Sequence, residues 1–323
     1  MRIARTALAA ALLTVPVWSQ QEDIPTIKVD VDLVNILCAV RDRNGALVPN
    51  LAKEDFVVKE DGQEQKIRYF ARETDLPLTL GLLVDVSRSQ ANLIEAERRT
   101  AGQFFSHVLR KKDMAFLISF GSEVELLQDY TGSTRLLSDA LENLEVRGAV
   151  GGVHPGPVPT ISKPRGTVLY DAVYLAANEK LRGEVGRKAI VLITDGVDMG
   201  SRVKLQEALE AAHKSDTIIY SIYYVDPSAY YDAGGYFYYP SDGDLKKMSE
   251  ETGGRLFRVD KKNPLNKIFD QLQEELRTQY ALAYAPARAV GDGSYRKLEV
   301  RTTRKDLKVQ ARKGYYASRR EDI

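Results

Sequence analysis

Alternating apolar and polar side chains mark the first part of the chain. Apolar side chains occupy every second position from Ile27 to Leu33, which is the period-two pattern of a half-buried strand. Asn44-Gly45 and Asp61-Gly62 then supply turn positions between further short apolar runs. We therefore predict a small antiparallel β unit over residues 24–75.

The same alternation returns near the end of the chain. Tyr280, Leu282 and Tyr284 alternate with alanines, and two more strand patterns follow the Gly-Asp-Gly-Ser turn at residues 291–294. Neither terminal part alone has enough strands to bury a face. We predict that the two parts pair into one β-sandwich, with the region between them inserted.

The central region has a different rhythm, in which continuous apolar runs of strand length alternate with amphipathic helical patterns. The predicted strands are LTLGLLV from Leu78, AFLISF from Ala115, AIVLIT from Ala189, TIIYSIYYV from Thr217 and RLFRV from Arg255. The predicted helices are ANLIEAERRTAGQFFSHVL, TVLYDAVYLAANEKL, KLQEALEAAHKS, GDLKKMSEET and PLNKIFDQLQEEL. This alternation predicts an α/β fold with a doubly wound, mostly parallel sheet covered by helices on both faces. The short run VELLQ from Val124 is expected to pair antiparallel at an edge.

The first 19 residues differ from the rest of the chain. They carry Arg2 and Arg5, then an apolar stretch, then small residues at the spacing of a signal-peptidase site, which is the pattern of a secretory signal peptide. The alternative is a buried N-terminal helix. We expect export to the periplasm or the cell exterior, and no membrane span in the mature chain. The remaining segments are residues 20–77 and 279–323, which form the sandwich, and 78–278, which form the central domain.

Composition excludes two classes of partner. The chain has 323 residues with 46 Lys and Arg against 45 Asp and Glu, and loss of Arg2 and Arg5 with the signal peptide leaves a net charge near −1. A nearly neutral chain gives no reason to expect binding to nucleic acid or to an anionic membrane. The single cysteine, Cys38, is expected to be a small core residue rather than half of a disulfide.

Oxygen-bearing side chains cluster at the predicted ends of strands in the central region. Asp85 closes the first strand, with Ser87 and Ser89 directly after it, Asp195 closes the strand AIVLIT, and Thr167 precedes a helix. In a doubly wound sheet the ligand site lies at the carboxyl ends of the strands. Two carboxylates and three hydroxyls, without thiolate or imidazole, suit magnesium, manganese or calcium. For Asp-x-Ser-x-Ser alone, turn formation and helix capping is the alternative.

These motifs carry a resemblance to a known family. Asp-Val-Ser-Arg-Ser at 85–89, the Gly-Thr-x-Leu-Tyr-Asp loop at 166–171 and Thr-Asp-Gly at 194–196 together resemble the metal-ion-dependent adhesion site of von Willebrand factor A (VWFA) domains. The resemblance covers roughly residues 78–278. The flanking segments resemble secreted bacterial proteins in which such a domain lies between β segments.

The resemblance implies a site and a partner. Ser87, Ser89 and Thr167 would coordinate Mg²⁺ through their hydroxyls, with Asp85 and Asp195 acting directly or through water, and Mn²⁺ or Ca²⁺ are the alternative cations. An Asp or Glu of a protein partner would complete the coordination. The nearby carboxylates Asp171 and Asp198 are expected to fix loops rather than to bind the cation.

Two loops border this site. The segment from Tyr230 to Tyr239 is rich in tyrosine with glycine spacers, which resembles a loop that contacts a protein partner, and a self-packed loop is the alternative. The segment from Arg147 to Gly166 is rich in glycine and proline and leads directly into Thr167. We expect it to form a flexible rim of the site.

Two other functions are alternatives to adhesion. A magnesium-dependent phosphoryl-transfer enzyme could use Asp85 as its nucleophile, but position 87 is serine where a second carboxylate is expected, and the sequence contains no P-loop, G-x-G-x-x-G helix start or G-x-S-x-G elbow. We therefore expect a non-catalytic protein. A structural component of the envelope, in which the metal only stabilises the loops, remains the other alternative.

Overall fold

A computed structural model of the chain describes residues 33–72, 76–146, 166–231, 239–288 and 290–318. The predicted signal peptide, the alternating run before Leu33 and nearly all of the segment from Arg147 to Gly166 lie outside these ranges. The strands are β1 Val34–Arg41, β2 Phe56–Glu60, β3 Gln63–Gln65, β4 Ile67–Arg72, β5 Leu78–Asp85, β6 Met114–Phe120, β7 Val124–Thr131, β8 Arg187–Thr194, β9 Thr217–Tyr223, β10 Leu256–Arg258, β11 Tyr280–Tyr284, β12 Tyr295–Thr302, β13 Lys308–Ala311 and β14 Gly314–Tyr316. The α-helices are α1 Ile94–Val108, α2 Thr134–Glu142, α3 Leu169–Leu175, α4 Leu205–Lys214, α5 Gly243–Thr252 and α6 Leu265–Arg277.

The central sheet has six strands in the order β10-β9-β8-β5-β6-β7. All neighbours are parallel except β7, which pairs antiparallel with β6 at one edge, as VELLQ predicted. Strands β5 and β8 are buried along their whole length because helices cover both faces of the sheet. Helices α1 and α6 pack on one face, where the rings of Phe104 and Phe269 stack with centroids 4.4 Å apart. Helices α3, α4 and α5 cover the other face, so the predicted doubly wound fold is confirmed.

Two antiparallel four-stranded sheets, ordered β13-β1-β11-β4 and β14-β12-β2-β3, flank the central sheet in the chain and share one apolar core. Each sheet combines strands from before and after the central region, which confirms that the central fold is inserted in a sandwich. Cys38 lies in this core as a free cysteine, and burial raises the pKa of its thiol to about 12. The segment boundaries that we drew between the sandwich and the central domain stay predictions.

The connections between the sandwich and the central sheet lie side by side. Strand β4 leads into β5, and α6 leads into β11 through Thr278 and Gln279. Strands β4 and β11 are antiparallel neighbours, with Arg72 at the end of β4 opposite Tyr280 at the start of β11. The chain therefore leaves the sandwich and returns to it at adjacent positions.

Helix α2 was not predicted from the sequence. It has nine residues, and Ser133 at its start accepts a hydrogen bond from the backbone N–H of Leu136 at 3.4 Å. Its buried positions, Leu137, Ala140 and Leu141, give only one full apolar repeat, which is too short a pattern to distinguish from a loop. Within the described ranges, no helix is both long and apolar enough to cross a membrane.

Candidate functional site

The parallel pairing of β5 and β8 brings two carboxylates to the same edge of the central sheet. Val84 is opposite Ile193 in the register, so Asp85 and Asp195 both follow directly at the carboxyl ends of neighbouring strands. Both side chains are fully buried. The sheet thus places these two predicted residues where doubly wound folds bind ligands.

The chain holds the Asp85 carboxylate through both of its oxygens. The backbone N–H of Ser87 donates to Oδ1 at 2.9 Å, and the hydroxyl of Thr194 donates to Oδ2 at 2.6 Å. The Thr194 hydroxyl in turn accepts from the backbone N–H of Gly196 at 3.1 Å. Thr194 therefore fixes the orientation of Asp85 and the start of the following loop, a role that the sequence analysis did not assign to it.

The two serines join the second carboxylate. The hydroxyls of Ser87 and Ser89 lie 3.0 Å apart, and Ser89 donates to Oδ2 of Asp195 at 2.5 Å. Ser87 is buried and Ser89 is half-buried, so the hydroxyls lie on the solvent side of the carboxylates. Four of the five predicted residues, Asp85, Ser87, Ser89 and Asp195, thus belong to one connected group.

Thr167 is the fifth predicted residue, and it is buried in the loop before α3. Its carbonyl accepts from the N–H of Met199 at 3.0 Å, and the N–H of Val168 donates to the carbonyl of Gly121 at 2.8 Å, so the loop is tied to the end of β6. Among the described residues, no hydrogen bond joins the Thr167 hydroxyl to the other four predicted residues. Gly166 is required here, because a Cβ at this position would lie 2.1 Å from the carbonyl oxygen of Met199.

Oδ2 of Asp195 accepts from two further side chains besides Ser89. The amide of Gln90 donates at 2.9 Å and the hydroxyl of Tyr230 donates at 2.6 Å. Gln90 also donates to the carbonyl of Tyr224 at 3.2 Å. The sequence analysis did not single out Gln90, although its position directly after the Asp-x-Ser-x-Ser motif was a signal.

Glu97 adds a third carboxylate that the sequence analysis missed. It lies in the first turn of α1, is 1% exposed, and has no hydrogen-bond partner for either carboxylate oxygen among the described residues. Its charge interacts with those of Asp85 and Asp195. The sequence carries one signal that Glu97 is buried: it lies in the apolar stripe of α1, three residues after Ile94 and four before Ala101.

Burial and mutual repulsion make these carboxylates hard to ionise together. Burial, with the charge of Asp195 as the second cause, raises the pKa of Asp85 to about 7, against the lowering effect of hydrogen bonds from Ser87 and Thr194. Burial, with the charges of Asp85 and Asp195, raises the pKa of Glu97 well above its usual range. No basic side chain is among the groups that shift these two pKa values in the described part of the chain. A cation would supply the missing positive charge.

The chemistry of the donors fits a hard divalent cation. Carboxylate and hydroxyl oxygens are the ligands that Mg²⁺ and Ca²⁺ prefer. Across the described ranges, no three Asp, Glu, His or Cys side chains are grouped so that they could hold a metal ion by themselves. A cation at this position therefore requires the serine and threonine hydroxyls as well as the carboxylates.

The carboxylates of Asp171 and Asp198 fix a loop, as expected from the sequence. Asp171 accepts from the backbone N–H groups of Arg202 at 3.0 Å and Val203 at 2.9 Å. Asp198 accepts from the hydroxyl of Ser201 at 2.5 Å. These bonds hold residues 198–203 against the start of α3.

The tyrosine-rich loop divides into two parts. Tyr230 ends a short 3₁₀ helix, Pro227–Tyr230, and turns into the site as the alternative of a self-packed loop requires. Tyr231 and Tyr239 are exposed. The remaining aromatics of the loop, Tyr236, Phe237 and Tyr238, lie outside the described residues, so partner contact stays a prediction.

Several solved structures resemble part of the chain. BatB from Bacteroides thetaiotaomicron, described as a conserved hypothetical protein, is 18% identical, with a TM-score of 0.47 over 62% of this chain and 97% of that one. The vWF domain of the type V pili tip protein Mfa5 from Porphyromonas gingivalis is 12% identical, with a TM-score of 0.44 over 62% of this chain and 95% of that one. The SpRpn10 VWA domain is 15% identical, with a TM-score of 0.41 over 61% of this chain and 95% of that one. No protein-family profile and no curated protein matches the sequence.

Proposed function

We propose that this chain is an exported, non-catalytic binding protein with a metal-ion-dependent adhesion site. Asp85, Ser87, Ser89, Thr167 and Asp195 hold a divalent cation, in the first place Mg²⁺ and alternatively Mn²⁺ or Ca²⁺. The bound cation supplies a positive centre that accepts a carboxylate oxygen from an Asp or Glu of a protein partner. Export rests on the signal-peptide pattern of residues 1–19.

One observation carries this proposal: the buried carboxylates of Asp85 and Asp195 lie at the ends of neighbouring strands and interact with the charge of buried Glu97. Among the described residues, no basic side chain is one of the groups that shift the pKa values of Asp85 and Glu97. Asp85, Asp195 and Glu97 are each at most 1% exposed. Placing like charges together in a buried site destabilises the ionised forms strongly unless an opposite charge is present. The hydroxyls of Ser87 and Ser89 lie beside these charges and provide neutral oxygen ligands.

The chain's own residues prepare the site before any ligand arrives. The backbone N–H of Ser87 and the hydroxyl of Thr194 hold Asp85, and the amide of Gln90 holds Asp195. Because these supports come from the ends of two neighbouring strands and from the turn after β5, the donors are positioned by the sheet rather than by a free loop. Such support reduces the ordering that binding would otherwise require.

The same contacts argue against a phosphoryl-transfer enzyme. Both oxygens of Asp85 accept hydrogen bonds, from the backbone of Ser87 and from Thr194, and these donors lower the nucleophilicity of the carboxylate while leaving a lone pair on each oxygen for a cation. The residue two positions later is Ser87 rather than the carboxylate such an enzyme would need. A cation-dependent adhesion site needs only the hydroxyl and carboxylate groups that the chain has at these positions.

Calorimetric titration with MgCl₂ and MnCl₂ tests the cation site. Saturable binding of one ion per chain is expected for the parent, and its loss is expected in Asp85→Asn and in the paired Ser87→Ala, Ser89→Ala variant. Asp139→Asn is the matched control, because Asp139 is an exposed carboxylate on α2 that should leave binding unchanged. Absence of binding in the folded parent would contradict the proposal.

Chelation separates adhesion from a purely structural metal. A partner captured on the immobilised chain from the envelope fraction should be released by EDTA and rebound with Mn²⁺, while the paired serine variant should fail to capture it. A structural site would instead lower the melting temperature on chelation while the captured partner stays bound.

A further inference from the structure

A second concave surface lies at the end of the central sheet opposite to Asp85. This cleft has a volume of about 750 Å³, which is within the range of small-molecule sites. One wall is formed by β1, β4 and β11 of the sandwich, and the other by residues 183–188 before and at the start of β8 and residues 212–218 at the end of α4 and the start of β9. Since β5 has eight residues, the cleft and the candidate cation site are separated by the length of that strand, about 25 Å.

Apolar side chains form a continuous part of the rim. Tyr69 is 62% exposed, Leu76 is 50% exposed and Val185 is 82% exposed, and all three line the cleft. Leu37 and Phe70 line it as well. Exposed apolar side chains grouped in a concavity, rather than scattered over the surface, are typical of a binding site for an apolar group.

The charged side chains of the cleft are unbalanced. Five are basic and two are acidic; the basic ones are Arg182, Arg187, Lys188, Lys214 and Arg312, and the acidic ones are Glu184 and Asp216. Arg312 forms an ion pair with Asp216. His213 also lines the cleft, but burial lowers its pKa to about 4, so it is neutral at pH 7. Arg187 donates to the carbonyls of Leu76 and Leu276, and Lys214 forms an ion pair with Glu210, so the attraction for an anion centres on Lys188.

Lys188 is the side chain that points most directly to a ligand. It is 8% exposed, and its ammonium group has no hydrogen bond or ion pair within the part of the chain that the structure describes. Its charge interacts with those of Asp216, Glu184 and Arg312, which all line the cleft. The ammonium itself is reached by solvent, so an anion in the cleft can pair with it directly.

Arg312 supplies a second positive charge near the same place. Its Nε atom is buried, and its two terminal nitrogens contact Asp216 and the carbonyl of Asn35, so it acts on a ligand through its charge. Lys188 therefore has the hydrogen-bonding capacity that the protein itself leaves unused. We propose that the cleft binds a long-chain carboxylate, with the head group at Lys188 and Arg312 and the hydrocarbon chain along Tyr69, Leu76 and Val185.

Titration of the full chain with sodium dodecanoate, below its micelle concentration and in the presence of EDTA, tests this inference. One-to-one saturable binding is expected. Dodecanol, which lacks the charge, and hexanoate, which lacks half of the chain, should each bind at least tenfold more weakly. EDTA keeps the test independent of the cation site, so it can fail or succeed whatever the outcome of the magnesium titration.

The Lys188→Met variant distinguishes a role of Lys188 in ligand binding from a structural role. Dodecanoate should bind at least tenfold more weakly, while the melting temperature without ligand stays near that of the parent, because the Lys188 ammonium has no hydrogen bond or ion pair to lose among the described residues. The exposed Lys111→Met is the matched control and should bind like the parent. Val185→Asp, a substitution at an exposed rim position, should weaken binding by charge repulsion without disturbing the core.

Three results would overturn the inference. They are the absence of saturable dodecanoate binding in the parent, equal binding of dodecanol and dodecanoate, and parental affinity in both Lys188→Met and Val185→Asp. If dodecanoate does not bind, binding of an Asp- and Glu-rich peptide would assign the cleft to a peptide.

Discussion

The hydroxyl of Tyr230 donates a 2.6 Å hydrogen bond to Oδ2 of Asp195, and so connects the tyrosine-rich loop to the candidate cation site. The loop is anchored on the same side by Asn92, whose amide donates to Asp226 at 2.6 Å. Asp226 in turn accepts from the backbone N–H of Ser228 and begins the 3₁₀ helix that carries Tyr230. The tyrosine-rich loop and the Asp-x-Ser-x-Ser motif are therefore parts of one hydrogen-bonded unit.

Removal of this hydroxyl should strengthen cation binding. In Tyr230→Phe, Oδ2 of Asp195 loses one of three donors, so a cation competes with fewer hydrogen bonds and its affinity should rise by about threefold to tenfold. Calorimetric titration with Mg²⁺ measures the change, and Tyr231→Phe is the neighbouring control. A weaker affinity in Tyr230→Phe would show that the tyrosine positions Asp195 for the cation.

Neutralisation of Glu97 should change stability and cation affinity in opposite directions. A carboxyl group whose pKa is higher in the folded than in the unfolded state reduces stability once the pH rises above the unfolded value. Glu97→Gln should therefore melt at a higher temperature than the parent at pH 8 in EDTA, and bind Mg²⁺ roughly tenfold more weakly because one negative charge is lost.

Glu95→Gln, on the exposed side of the same helix, is the control for this pair of measurements. Equal melting temperatures for Glu97→Gln and the parent would mean that the Glu97 carboxyl has a partner in solution.

The close approach at Gly166 predicts a loss of cation binding on a minimal substitution. In Gly166→Ala the new methyl group would collide with the carbonyl oxygen of Met199, so the loop that carries Thr167 must move. We expect Mg²⁺ affinity to fall at least tenfold and the free energy of unfolding to fall by about 1–3 kcal/mol. Gly183→Ala, where the added methyl meets no atom within 4 Å, should match the parent in both measurements.

The burial of His213 predicts that the stability of the protein falls at acidic pH. It is packed between the rings of Tyr295 and Tyr316, with Arg312 and Asp216 nearby, and burial lowers the pKa of its imidazole from 6.5 to about 4. The folded state thus resists protonation of the His213 imidazole. The contribution of the neutral imidazole to stability is therefore complete above pH 6.5 and is lost as the pH falls towards 4.

Chemical unfolding at pH 7 and pH 4 measures this effect. The parent should lose about 2–4 kcal/mol more than His213→Gln over that interval. Equal losses for the two chains would show that His213 can be protonated within the folded state.

The ends of strands were the most predictable part of the site. Asp85 and Asp195 each follow a continuous apolar run, and strands β5 and β8 had to be parallel neighbours for the runs to be buried on both faces. Their proximity therefore followed from pattern and topology. Glu97 did not, because whether it faces the site depends on the rotation of α1 against α6 and the sheet, which is decided by packing of residues such as Phe104 on Phe269.

Contacts between segments that are far apart in the chain could not be predicted from the periodicity of apolar residues. The turn of Tyr230 towards Asp195 depends on the anchor between Asn92 and Asp226, which are 134 positions apart. Lys188 precedes an apolar run and gave no sequence signal, because its burial arises only where the sandwich meets the start of β8. Residues 27–32 and 147–165 lie outside the described residues, so the predictions for those segments stand untested.

The pairing of Arg72 with Tyr280 gives the protein the organisation of a hairpin with a very large loop. Antiparallel strands such as β4 and β11 need only two to five residues to connect them. The whole central fold is thus inserted in a turn of the sandwich, and two neighbouring strand ends connect it to the sandwich. Because only these two ends join the central fold to the sandwich, a short turn in its place would leave the pairing of β4 with β11 intact.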